Sequence, residues 1–191
     1  LQSLVKSGKT KQIGFSEISP NSLALASSVF PVAAVQSEYS LSTRYPELGL
    51  IQRTKQLGAS LVAFSPVGRS LLTDAPHDDS KVKAMQFLRE NPRFVEPNLS
   101  RNIRATESFR SLARQMGLSA AALAISWLLN KDSHILPIPG TRSVDRLKSM
   151  ADGASRKLSK ADITEIEKTL PVGWAYGDRY STNQWIGPEK Y

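Results

Sequence analysis

Hydrophobic residues fall into four short runs, separated by longer segments with helical spacing. The runs are Gln12–Phe15, Val32–Gln36, Ser60–Phe64 and Ile135–Ile138. Three of them lack polar alternation, which is typical of strands covered on both faces of a parallel sheet. Gln12–Phe15 has a weaker strand pattern, and it is predicted to be a strand because of its place in the order of strands and helices.

A helix is predicted after each run and again near the end of the chain. Each begins at a residue that suits a helix N-terminus: Ser19, Pro46, Ser119, Ser143 and Ser159. The predicted core positions are Leu48, Ile51 and Leu57 in the second helix, and Leu123, Trp127 and Leu128 in the third.

This order, four strand–helix units and one extra helix, indicates a parallel α/β sheet with right-handed crossovers. Such a sheet is either open and doubly wound or half of an eight-stranded barrel. The first strand–helix turn, Gly14–Ser19, lacks the second and third glycines of the open dinucleotide-binding fold. The prediction is therefore the second half of a (β/α)8 barrel of TIM-barrel type.

The chain is predicted to be one domain over residues 1–191, with a long insertion over 68–102 and a tail over 171–191. Long insertions after a strand are usually functional or mobile. A helical piece is expected around Lys81–Glu90 within the insertion. Leu1 and Leu4 already follow helical spacing, so we expect the polypeptide to be part of a longer one.

Composition excludes several classes of protein. The chain has 40% hydrophobic and 22% charged residues, which is ordinary for a globular domain. An apolar run of about 18 residues is absent, so no membrane span is expected. Cysteine is absent, which excludes disulfides and thiolate metal sites and fits a cytoplasmic protein.

The net charge of +8 raises the question of an anionic partner. The 25 Lys and Arg residues are spread along the chain, and the 7% of aromatic residues do not alternate with them. Nucleic-acid binding is therefore not expected. A phosphate-bearing cofactor would need only a few of these charges.

Barrel ligands are bound at the carboxyl ends of several strands. Ser16 and Gln36 place polar groups in adjacent turns there, and a Gln amide offers the donor and the acceptor that a carboxamide needs. Phe64 could stack on a flat heterocycle. Alternatively, Ser16 and Gln36 satisfy loop backbone and Phe64 fills the barrel interior.

The start of the fourth helix suits a phosphate, because backbone N–H groups and the helix dipole favour an anion there. Gly140, Thr141 and Arg142 open this helix, and Arg146 follows one turn later. Both guanidinium groups suit a phosphate monoester. The alternative is a solvated basic helix face.

Five strings occur in the order and approximate spacing of the aldo-keto reductase family: Ile13–Ser16, Val35–Leu41, Ala63–Arg69, Ala122–Leu128 and Leu136–Arg142. Over nearly its whole length, the chain resembles the second half of such a protein, from about the fifth strand onward. Glu17 stands where many members have Asn. Ser149 and Met150 stand where members often have Glu and Asn beside adenine.

The resemblance implies NADP(H) as cofactor. It implies that Ser16 and Gln36 hold the nicotinamide carboxamide and that Phe64 stacks on the ring. It places Ser65, Pro66, Val67, Gly68 and Arg69 around the pyrophosphate, and Gly140, Thr141, Arg142 and Arg146 around the adenosine 2′-phosphate.

The activity implied is the reduction of a small-molecule carbonyl, an aldehyde or ketone, to an alcohol. The family's proton donor is a Tyr, helped by Lys, Asp and usually His, all in the first half of the barrel. No catalytic residue is therefore predicted here, and the 191-residue chain alone is expected to be inactive. Tyr176 and Tyr180 could border the substrate.

Two other functions stay open. A non-catalytic half-barrel could be a cofactor-binding or protein-interaction module, and it would self-associate through its two exposed sheet edges. Nucleic-acid binding driven by the +8 charge is the third hypothesis, although the spread of the basic residues along the chain argues against it.

Overall fold

A parallel four-stranded sheet organises the chain in the computed structural model, which describes residues 1–189. The strands lie in the order β1 (Gly14–Ser16), β2 (Ala34–Glu38), β3 (Ser60–Phe64) and β4 (Ile135–Pro137). Each pairs in parallel with the next. All four predicted strands are confirmed, with shifts of up to two residues at their ends.

Within residues 1–189 there are nine α-helices: α1 (Gln2–Lys6), α2 (Pro20–Val29), α3 (Leu50–Gln56), α4 (Asp79–Ala84), α5 (Asn98–Ala105), α6 (Glu107–Gln115), α7 (Ala120–Lys131), α8 (Val144–Ala154) and α9 (Lys160–Thr169). Four predicted caps are confirmed, because each serine hydroxyl accepts a hydrogen bond from the backbone N–H three residues on: Ser19, Ser119, Ser143 and Ser159.

The predicted core face of the second helix is confirmed only at Ile51, which is half-buried and packs against the core. Leu48 is 69% exposed and Leu57 is 38% exposed, whereas Leu50 and Thr54 are fully buried. Pro46 lies in a 3-10 turn, and Gly49 breaks the helix with a φ of 128° before α3 begins at Leu50. The break rotates the buried face relative to the one that an unbroken helix from Pro46 would have.

The insertion and the segment after it contain more helix than the hydrophobic pattern indicated. The predicted helical piece is present as α4 and a 3-10 turn over Leu88–Glu90. Helices α5 and α6 were not predicted. Few of their residues are buried, Leu99 and Asn102 in α5 and Phe109 and Ala113 in α6, so their apolar stripe is narrow.

The core lies between one face of the sheet and the helices. Val35, Leu61, Ala63 and Ile135 point to this face and are at most 1% exposed. The predicted core residues of α7, Leu123, Trp127 and Leu128, join them and are fully buried.

The opposite face of the sheet carries the residues that alternate with those in the core. The strand sequences predicted that both faces would be covered, but this face is partly exposed. We call it the open face. Leu136 is 47% exposed there, and just beyond β4, Ile138 is 47% exposed as well. Between Leu1 and Glu189, no single helix has both the length and the apolar character to cross a membrane. The helical segments Asn98–Gln115 and Ala120–Lys131 are long and apolar enough only when they are taken together, and they are bent by 84° relative to each other.

Candidate functional site

Ser16, the last residue of β1, and Gln36, the middle residue of β2, lie side by side because they are direct partners in the sheet register. Both are exposed on the open face. The backbone N–H of Glu17 donates to the Gln36 carbonyl at 2.8 Å, which keeps the pairing intact at the strand ends. Within residues 1–189 neither side chain makes a hydrogen bond, so neither is used to satisfy loop backbone.

Phe64 ends β3 on the same face. Gln36 pairs with Val62 and Glu38 pairs with Phe64, so the ring lies one row beyond Gln36 toward the carboxyl ends. It is half-buried. A flat apolar surface therefore stands next to a polar pair, which suits a heterocycle that carries a carboxamide.

The loop after β3 is tightly folded. Ser65, Gly68 and Arg69 have left-handed φ values of 50°, 57° and 51°. The Gly68 N–H donates to the Ser65 carbonyl at 2.9 Å, and a Cβ on Gly68 would lie 2.8 Å from Ser42 Oγ. Left-handed non-glycine residues cost roughly 1–3 kcal/mol each and cluster at ligand sites. Pro66 is buried and Val67 half-buried within this loop.

The loop after β4 leads into the N-terminus of α8. The Ser143 N–H donates to Thr141 Oγ1 at 3.1 Å, and Ser143 then caps the helix. Arg142 and Arg146 are exposed, and the space around Gly140 is open. Two guanidinium groups and a helix N-terminus thus face solvent together, an arrangement that suits an anion.

The two side chains expected beside adenine, Ser149 and Met150, make contacts within the fold instead of facing solvent. Ser149 Oγ lies 2.7 Å from Ser119 Oγ, the cap of α7, and Met150 is only 6% exposed. Both side chains therefore join α8 to the rest of the fold.

Sequence reasoning missed a buried cluster of charges above β1 and β2. The Glu17 carboxylate accepts hydrogen bonds from Ser37 Oγ at 3.2 Å and from the Glu38 N–H at 2.9 Å. Its other oxygen is bound by the Arg179 guanidinium, which comes from the C-terminal tail. Glu17 therefore ties the turn after β1 to the last two residues of β2.

Glu38 is the second carboxylate of this cluster and is only 1% exposed. It accepts hydrogen bonds from Arg69 Nη2 at 2.7 Å and from Thr43 Oγ1 at 3.1 Å. Arg179 Nε lies 3.3 Å from it, an ion pair without hydrogen-bond geometry. The Arg69 side chain, in the loop predicted to hold pyrophosphate, is thus directed to Glu38.

The neighbouring arginines show how strongly this cluster is buried. Burial lowers the pKa of Arg93, and the nearby Glu38 carboxylate only partly opposes that change. For Arg179 burial acts in the same direction, but the Glu38 and Glu17 carboxylates outweigh it and raise the pKa. Both guanidinium groups stay charged at neutral pH.

The tail crosses the carboxyl ends of the strands, where hydrogen bonds fasten it to the insertion and to the turn after β1. Asn102 Nδ2 donates to the Tyr176 carbonyl at 3.0 Å. Asn91 Nδ2 donates to the Arg179 carbonyl at 2.7 Å. The Glu189 N–H donates to the Glu17 carbonyl at 2.9 Å, so this part of the tail lies over the turn after β1. The insertion and the tail together border the site.

Three further side chains that could exchange a proton, Tyr39, His134 and His77, have their own neighbours in the fold. Tyr39 is fully buried and donates to Glu47 Oε1 at 2.8 Å; burial and that carboxylate raise its pKa. His134 lies before β4, between Thr54 and Asp132. Burial and the nearby cations Lys81 and Arg146 lower the pKa of His77. Among residues 1–189 no group of three or more His, Asp or Glu could hold a metal ion.

Comparison with known proteins gives consistent matches. The family model of the Aldo/keto reductase family matches residues 1–171. "Probable aldo-keto reductase 1" of Glycine max is 35% identical over 180 residues, which cover 94% of this chain and 52% of that protein. "Aldo-keto reductase yakc [NADP(+)]" of Schizosaccharomyces pombe is 33% identical over 183 residues, covering 94% of this chain and 54% of that protein.

A solved structure supports the fold. The glycerol dehydrogenase from Gluconobacter oxydans superposes with a TM-score of 0.73 at 24% identity, over 88% of this chain and 51% of that one. The chain therefore spans about half the length of the relatives that it matches.

Proposed function

The chain belongs to the Aldo/keto reductase family, and on that premise we propose that it is the cofactor-binding half of an oxidoreductase that reduces aldehydes or ketones to alcohols with NADP(H). One observation carries the proposal. Ser16 and Gln36 are paired and exposed on the open face, with Phe64 one row beyond them. This arrangement fits a nicotinamide ring and its carboxamide.

Each part of the site has a distinct task in this proposal. The Ser16 hydroxyl and the Gln36 amide bind the carboxamide and fix the orientation of the ring. Phe64 covers one face of the ring and excludes water. The loop Ser65–Arg69 offers backbone N–H groups to the pyrophosphate. The bound cofactor supplies the hydride, and the carbonyl oxygen requires a proton from a positioned acid.

The proposal of NADP(H) over NAD(H) rests on the start of α8. Arg142 and Arg146 are exposed beside the helix N-terminus, and a 2′-phosphate would gain two charge-assisted contacts there. The name of the Schizosaccharomyces pombe relative specifies NADP(+) for that protein.

Binding of NADPH and NADH to the purified chain tests the cofactor assignment. Arg142→Ala with Arg146→Ala should weaken NADPH binding by about tenfold or more while leaving NADH binding unchanged, because only NADPH carries the 2′-phosphate. Lys148→Ala, an exposed cation further along α8, is the matched control. Equal loss for both nucleotides would contradict the assignment.

Measurement of turnover tests the proposal that this chain is only the cofactor-binding half of the enzyme. The 191-residue chain alone should not oxidise NADPH in the presence of generic aldehydes, because the resemblance implies that the family's proton donor lies outside the half of the barrel that this chain spans. Absorbance at the nicotinamide band measures this directly. Steady turnover by homogeneous protein would show that an acid within the chain suffices.

A second function is favoured by the exposed apolar side chains Leu136 and Ile138, each 47% exposed. A half-barrel with this open face could serve as a cofactor-binding or interaction module whose partner is a second copy of the chain. Small-molecule carbonyl substrates belong only to the first function, so turnover of the intact protein separates the two.

A further inference from the structure

We propose that Arg179 is a positioning residue for the nicotinamide end of the site, acting through Glu17. This inference rests on the proposed function, because it assigns Arg179 a part in cofactor binding. Arg179 lies in the tail, 162 residues away from Glu17 along the chain, and is outside the predicted cofactor residues.

Glu17 is the link between the tail and the two carboxamide-binding residues. It directly follows Ser16, with a left-handed φ of 55°. Its carboxylate holds Ser37 Oγ and the Glu38 N–H, which directly follow Gln36. The spacing between Ser16, at the end of β1, and Gln36, in β2, therefore depends on where this carboxylate lies.

The carboxylate stays in that position only if its charge is compensated. The Glu17 side chain is 10% exposed, and the Glu38 side chain close by is 1% exposed. Buried carboxylates are costly unless they are paired and hydrogen-bonded. Glu38 has Arg69 as a second partner, 2.7 Å away. The cation paired with Glu17 is Arg179.

The tail in turn fixes the Arg179 guanidinium. Its side chain is 3% exposed, and the guanidinium carbon lies 4.4 Å from the centre of the Tyr180 ring and 5.3 Å from that of Trp185. Asn91 holds the backbone carbonyl of the same residue at 2.7 Å. Loss of the guanidinium would leave Glu17 free to turn toward water, releasing the two donors beside Gln36.

The test compares NADPH with 2′,5′-ADP, which carries the 2′-phosphate but no nicotinamide, on the full 191-residue chain. Arg179→Met should weaken NADPH binding by about tenfold, the equivalent of one charge-assisted hydrogen bond, and should leave 2′,5′-ADP binding within about twofold. A merely structural role would weaken both ligands equally. Arg101→Met is the matched control, because Arg101 also stacks on a tail ring, Tyr176, at 5.5 Å.

Two further variants sharpen the result. Arg179→Lys keeps a buried cation but cannot contact both carboxylates as a fork, so a smaller loss confined to NADPH is expected even if Arg179→Met does not fold. Adding Glu17→Gln to Arg179→Met should restore most NADPH affinity, because a neutral amide can accept the same two hydrogen bonds without a counter-charge.

Parallel loss of both ligands, or no loss, in a folded Arg179 variant would overturn the inference alone. If the unmodified chain binds neither ligand, the proposed function fails, and this inference fails with it.

Discussion

Single residues at the strand ends divide into those that the fold uses and those that it leaves available. Glu17 and Glu38 are committed to buried partners, whereas Ser16 and Gln36 are exposed and make no side-chain hydrogen bond within residues 1–189. A polar side chain that the fold does not need can be replaced without loss of stability. This contrast allows binding and folding to be tested separately.

Gln36→Leu should lower NADPH affinity without lowering stability. The substitution removes the amide donor and acceptor while keeping similar volume, and one lost hydrogen bond to a ligand corresponds to roughly fivefold in affinity. Titration calorimetry measures the affinity, and urea unfolding measures the stability. Gln56→Leu, an exposed Gln on α3, is the control and should leave both unchanged. A fall in unfolding free energy for Gln36→Leu would mean that the fold depends on this amide.

Leu128→Ala should destabilise the chain by about 2–5 kcal/mol, because it leaves a cavity in the centre of the core. Leu128 is fully buried in α7, whereas Leu25 in α2 is 72% exposed. The same substitution at Leu25 should change the unfolding free energy by less than about 0.5 kcal/mol. Equal effects in urea unfolding would contradict the placement of the core.

At the scale of elements, local chemistry explains what the sequence could predict. Ser119 and Ser159 identify helix starts because a cap needs only the next three residues. Most of the buried face of α3 could not be predicted, because Gly49 separates the 3-10 turn at Pro46 from α3 and changes which side of the helix faces the core. Nor could the partner of Glu17, since Arg179 is brought to it only by the path of the tail. The barrel rule alone predicted strand-end positions for Ser16 and Gln36; Ser16 ends β1, whereas β2 continues past Gln36 to Glu38.

One ionic contact joins three elements at the opposite end of the sheet and predicts a pH dependence. Asp132, just after α7, accepts hydrogen bonds from Lys55 of α3 at 2.6 Å and from His134 before β4 at 2.9 Å. These bonds, the one from Lys55 first, hold the pKa of the Asp132 carboxyl well below its usual range. The folded state therefore binds this proton less readily than the unfolded state does.

The stabilisation from Asp132 should be complete well above the ordinary carboxyl pKa of about 3.9 and should be lost as the pH falls below it. Asp132→Asn should thus lower the unfolding free energy at pH 7 and lose most of its effect at about pH 2. Urea unfolding across this range measures both. Asp152→Asn, an exposed carboxylate on α8, is the control. A pH-independent difference for Asp132→Asn would show that the charge is not the cause.

For the whole molecule, the open face of the sheet dominates the expected behaviour in solution. One face is closed by helices, and the other presents Leu136 in the edge strand β4 and Ile138 just beyond it. An exposed edge with adjacent apolar side chains is a template for pairing with another chain. Self-association should therefore grow with concentration, and it should involve this face rather than the helical side.

Sedimentation velocity over a range of concentrations tests this expectation. Leu136→Lys with Ile138→Lys should shift the chain toward the monomer, because two charges would be desolvated in any pairing across the open face. Val172→Lys, at a residue 70% exposed after α9, adds one lysine away from the sheet and should leave association unchanged. NADPH should act in the same direction as the two lysines, since its proposed site on Ser16, Gln36 and Phe64 shares that face. Association that neither the lysines nor NADPH reduces would place the contact between copies elsewhere.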